Sequence, residues 1–101
     1  MIMIKKVDGY EIEFSLANCD TCKVFINGFL DGRYDITTDT FTPCEDEWFK
    51  SVFETLTERQ KRLVIKYANK FMIANYEDVY KGHEDSKYFI EQVNKCKRNI
   101  A

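Results

Sequence analysis

Apolar residues alternate with polar ones through the first forty positions and recur every three to four residues after Pro43. Tyr10, Ile12, Phe14 and Leu16 interleave with Glu11, Glu13 and Ser15. A period of two puts one side of a strand against a core and the other in water. Asp8-Gly9 precedes this run, and such a pair suits a two-residue hairpin turn, where both central positions need a positive φ. The register that follows pairs Val7 with Tyr10, Lys6 with Glu11 and Met3 with Phe14, leaving Lys5 as the one charge on the apolar side.

A second aspartate–glycine pair, Asp31-Gly32, predicts a second hairpin. A two-residue turn there sets Val24 against Asp39 and Ile26 against Thr37, which mixes the faces. A three-residue loop, Leu30-Asp31-Gly32, restores the alternation by pairing Ile26 with Ile36 and Val24 with Thr38, on a face shared with Cys22 and Tyr34. The opposite face then carries Lys23 with Asp39, Phe25 with Thr37, Asn27 with Asp35 and Phe29 with Arg33.

Helical signals begin at Thr42, a capping residue followed by Pro43 at the first helical position and Glu45 completing a capping box. Phe49, Val52, Phe53 and Leu56 form the apolar stripe of this predicted helix, with Trp48 on its flank. Thr57 caps the next, about 58–75, in which Leu63, Val64, Tyr67, Ala68, Phe71, Met72 and Ala74 cover a wide arc. A short turn over 76–81 ends at Gly82, and a last helix from Asp85 or Ser86 aligns Phe89, Val93, Cys96 and Ile100. The expected architecture is α+β: an N-terminal antiparallel sheet of two β-hairpins (four strands), followed by three α-helices packed on one face. A chain of 101 residues makes one domain, with a hairpin half at 1–41 and a helical half at 42–101.

Charge narrows the classes of function. The net charge is −2, with four Lys/Arg and seven Asp/Glu in residues 1–43 against eleven and ten in 44–101. That balance argues against general nucleic-acid binding. Met1-Ile2-Met3-Ile4 runs straight into Lys5-Lys6, too short for a signal-peptide core, and no run has the length of a membrane span. A cytoplasmic setting and four reduced cysteines are the expectation.

Cys19-Asp20-Thr21-Cys22 has the spacing by which two thiolates reach one zinc ion, but neither Cys44, Cys96 nor His83 forms a second close pair. A redox role needs such a pair at a helix N-terminus, and this one lies between hairpins. The simpler reading makes Cys22 a buried strand residue and Cys19 a loop thiol. Cys44 sits in the first turn of a predicted helix, where the dipole favours thiolate, yet no motif joins it to His83. Glu45, Asp46 and Glu47 are explained as N-terminal helix charges. No phosphate-binding glycine loop or serine-centred nucleophile motif appears, so neither a catalytic residue nor a cofactor is assigned.

Two surfaces are candidates for binding. Arg59, Arg62, Lys66 and Lys70 step along one helix face as a basic stripe, which grips phosphates or is simply a solvated face. Phe25 and Phe29 are expected on the polar side of the second hairpin beside Arg33 and Asp35, resembling an aromatic anchor with a charged rim. The function expected is a small non-catalytic protein-binding module, an inhibitor or regulator of toxin-immunity or phage anti-defence type. Its partner would be a protein with a basic surface, and dimerisation through an open sheet edge is compatible with the pattern. The alternative is a zinc-stabilised domain using Cys19 and Cys22 that touches nucleic acid through the basic stripe.

Overall fold

Five strands follow one another as neighbours in a single antiparallel sheet, and one long helix lies across it. The computed structural model describes residues 2–18, 20–44, 48–79 and 91, with the side chains of 76–79 outside that description. Among the described residues the strands are β1 (Ile2–Val7), β2 (Tyr10–Leu16), β3 (Thr21–Ile26), β4 (Phe29–Asp35) and β5 (Thr40–Pro43). Their spatial order is β1-β2-β3-β4-β5, so each strand pairs with the next in sequence. A 3-10 helix at Phe53–Thr55 and the helix α1 (Glu58–Val79) complete the described elements.

The first hairpin has the register its alternation predicts, from Val7 opposite Tyr10 to Met3 opposite Phe14. Asp8 and Gly9 hold φ values of 48° and 90°, the left-handed conformations of the tight turn.

The second hairpin corrects the sequence reading. Its turn is Asn27-Gly28, with φ values of 52° and 87°, and Ile26 pairs directly with Phe29. The Asn27 side chain also accepts a hydrogen bond from the Glu11 amide at 3.0 Å, while its own amide donates to the Glu11 carbonyl at 2.8 Å. Asp31 and Gly32 are strand residues. The register shifts between Val24 and Phe25: Phe25 faces Leu30, Val24 faces Gly32, and Asp31 is the extra residue of a bulge. Without that bulge, Cys22 would meet Arg33 and the core face would break; with it, Cys22 meets Tyr34.

The helix expected from Thr42 is also corrected. Thr42 and Pro43 close the edge strand β5, where a residue lacking an amide proton is tolerated. The strand half therefore extends past residue 41, and five strands replace four. Glu45 lies outside the described residues, as do 80–82 and nearly all of the predicted last helix; α1 runs on to Val79, through the first four positions of the turn expected over 76–81. Val52 and Phe53 belong to a short segment ending in the 3-10 helix. In place of three helices the described residues hold one. Its start is as predicted: the Gln60 amide donates to the Thr57 hydroxyl at 3.2 Å, and the Thr57 amide to the Gln60 side chain at 2.9 Å, a reciprocal capping box.

The core lies between α1 and one face of the sheet. Val64, Ala68, Phe71 and Met72 of the helix are buried with Ile12, Phe14, Cys22, Val24, Ile26 and Tyr34 of the strands. Phe14 and Phe71 stack with ring centroids 6.2 Å apart, and Lys5 of β1 sets its ammonium 5.6 Å from the Tyr67 ring centroid. Phe41 of β5 packs against Phe53 at 4.0 Å between centroids, so the 3-10 segment covers the same face near β5.

Candidate functional site

The pairings order the opposite face of the sheet into rows. Ile4, Glu13, Phe25 and Leu30 form one row across β1 to β4; Ile2, Ser15, Lys23, Arg33 and Thr42 form the next across β1 to β5. Thr21, Asp35 and Thr40 follow. Ile2 and Ile4 are more than half exposed and Leu30 is exposed, while Phe25 is half-buried. An apolar row, interrupted by Glu13, thus lies beside a row whose centre is Lys23 and Arg33.

This arrangement brings together three of the four residues expected to contact a partner. Phe25, Arg33 and Asp35 share the face; Phe29 does not. The bulge at Asp31 reverses the sense of β4 ahead of it, so Phe29 pairs with the buried Ile26 on the helix side. It stands at the margin of that side, 71% exposed. Leu30, which the shifted register moves onto the open face, takes the place expected for Phe29.

The four residues of the basic stripe lie on α1. Arg59, Arg62, Lys66 and Lys70 are all exposed along α1. Arg59 is engaged by Asp8 of the first turn, to which the Gln60 side chain also donates at 3.1 Å. Arg59, Arg62 and Lys66 line a cavity of about 530 Å³ together with Lys61, Leu63, Ile65, Glu58 and Asp39; Lys70 is not in that lining.

Asp39 connects this cavity to the core. Its backbone is left-handed, φ 52°, and its carboxylate accepts a hydrogen bond from the Tyr34 hydroxyl. That hydroxyl is in turn approached by the Asn69 amide of α1 at 3.2 Å. Tyr34 and Asn69 are buried, so both polar groups need these partners.

The cysteines are separated by burial. Cys22 is fully inside the core, and desolvation pushes its thiol up from 9.0 to about 12, against small opposing effects of backbone hydrogen bonds. A thiol so placed is protonated at neutral pH, and Cys19 lies outside the described residues. Cys44 is half-buried just after β5 rather than in a helix, and His83 is not described.

Asp31, expected in a hairpin loop, is instead buried in β4. Its buried carboxylate accepts from the Ser51 hydroxyl at 2.7 Å, the Val52 amide at 2.7 Å and the Phe53 amide at 3.0 Å. Its carbonyl takes the Cys44 amide at 2.9 Å. Three donors converging on one carboxylate make it the anchor of the 3-10 segment, a structural task rather than a catalytic one.

No protein-family model matches the chain, and neither a curated protein nor a solved structure resembles it significantly. Among the described residues no helix is long and apolar enough to cross a membrane.

Proposed function

We propose that the protein is a non-catalytic protein-binding module, an inhibitor or regulator that applies the open face of its sheet to a partner. The observation behind this reading is the apolar row of Ile4, Phe25 and Leu30 lying beside Lys23, Arg33 and Asp35. Apolar side chains bounded by charges supply a desolvated contact and a polar rim, which is how binding energy concentrates in interfaces. The mixed signs around the row would select partners by charge matching, including one with a basic patch facing Glu13 and Asp35.

The sheet register sets the test. A tagged protein captures its partner from lysate of the cells that make it; the Phe25→Ser/Leu30→Ser variant loses that capture, whereas Phe29→Ser retains it. Circular dichroism confirms that both variants are folded. Equal capture by the double variant and the natural sequence would remove this face as the contact surface.

A further inference from the structure

We propose that the cavity on α1 is a binding site for a small organic phosphate of mononucleotide size, separate from the open face of the sheet. Its volume of about 530 Å³ falls within the range of small-molecule sites, about 300–1,000 Å³. Among the described residues four cations line it against two carboxylates, although the chain as a whole has a net charge of −2. Arg59 is held by Asp8, and Lys61 lies 3.9 Å from Glu58 and over the Phe53 ring. Arg62 and Lys66 have no carboxylate partner among the described residues. They stand four positions apart on one helix, a spacing at which like charges repel. A phosphate bound between them relieves that repulsion, and the Arg62 guanidinium matches two phosphate oxygens at once.

The rest of the lining narrows the ligand. Leu63 and Ile65, both partly buried against the core, add apolar contacts on its flanks, which a bare inorganic anion would not use. Asp39 and Glu58 are acceptors that match hydroxyl donors and repel a second phosphate. Asp39 is also pinned by the Tyr34 hydroxyl, so that wall is set before any ligand arrives. A phosphate, a hydroxyl-bearing part and a part that takes apolar contacts are together the parts of a mononucleotide. A nucleic-acid strand fits less well. It would follow a line of charge, yet Lys70, which extends the line, is outside the lining, and the overall charge opposes a polyanion.

The test is an amide-shift titration of the whole chain with adenosine monophosphate, with ribose 5-phosphate, adenosine and a short single-stranded oligonucleotide as separate arms. Adenosine monophosphate should give saturable shifts at residues 58–66, with ribose 5-phosphate weaker. The Arg62→Ala/Lys66→Ala variant should bind about tenfold or more weakly, and Lys70→Ala should bind as the natural sequence does. A second variant, Arg62→Gln/Lys66→Gln, keeps the helix-forming side-chain length and should show the same loss. The proposal is overturned by absence of saturable shifts with either phosphate, by adenosine binding as tightly as its phosphate, or by saturation with the oligonucleotide alone. None of these substitutions touches Phe25 or Leu30, so partner capture and ligand binding succeed or fail independently.

Discussion

Asp31 carries more of this fold than its place in an aspartate–glycine pair announces. Such a pair normally reads as a turn, where the carboxylate meets water. Here it is 1% exposed and binds a hydroxyl and two amides from residues 51–53. Removing it would leave those donors unmatched in a largely dry place, and a buried polar group without a partner is costly. Asp31→Ala is therefore expected to lose about 2–4 kcal/mol in urea unfolding, with Asp31→Asn losing less because one oxygen still accepts. A loss within error of zero would mean that water replaces the carboxylate. The signal in the sequence was the failure of a simple register: the core face of β3 stays continuous only if β4 carries one extra residue.

At the scale of the element, two glycines sit in the same hairpin for different reasons. Gly28 holds φ 87°, a conformation that side chains rarely adopt, with open space around it. Gly32 has no such φ; instead, a Cβ there would fall 2.3 Å from the Phe41 ring and 2.5 Å from the Thr42 carbonyl oxygen. Gly28→Ala should cost about 1 kcal/mol through backbone strain alone. Gly32→Ala should cost more, about 2–4 kcal/mol, because β5 and Phe41 must move as a unit. Chemical denaturation ranks the two, and hydrogen exchange at β5 amides should accelerate in Gly32→Ala only. Equal effects would contradict the close approach of β5. Asn27-Gly28 was open to reading as a turn, since that dipeptide fits two left-handed positions. It competes with Asp31-Gly32 four residues later, and the strict alternation of the three-residue-loop register hides the bulge that allows the earlier turn. The capping signal at Thr42 lost for a related reason. Thr42 and Pro43 complete a strand because β4 offers an edge to pair with, and a local cap is weak against a whole ladder of strand hydrogen bonds.

The molecule as a whole carries a pH dependence through Cys22. Its thiol lies between β3 and α1, so ionising it requires opening the core. The folded value, about 12, stands above the 9.0 of the open chain. The folded state therefore holds its proton more tightly, and its contribution to stability is complete below pH about 9 and lost as pH rises toward about 12. The melting temperature of the natural chain should fall more steeply across that window than that of Cys22→Val. Parallel slopes would show that other alkaline groups control the transition. The same burial weakens the zinc alternative, which needs Cys22 as an accessible thiolate.

By itself the sequence determined the first hairpin to the residue, the start of α1 and much of its buried arc, although Leu63 and Tyr67 are only partly covered, Ala74 is exposed and Ile73 is buried in its stead. In those places a dipeptide turn, a capping box and a periodic stripe all agree, and each acts over a few residues. Only the tertiary structure decided the second register, the fifth strand, the role of Asp31 and the face on which Phe29 lies. Those depend on contacts between residues nine or more positions apart: Asp31 with Ser51, Gly32 with Phe41, Tyr34 with Asn69. Local pattern ranks the alternatives for such contacts; packing chooses among them, because one added residue in β4 reverses which side chains meet the core.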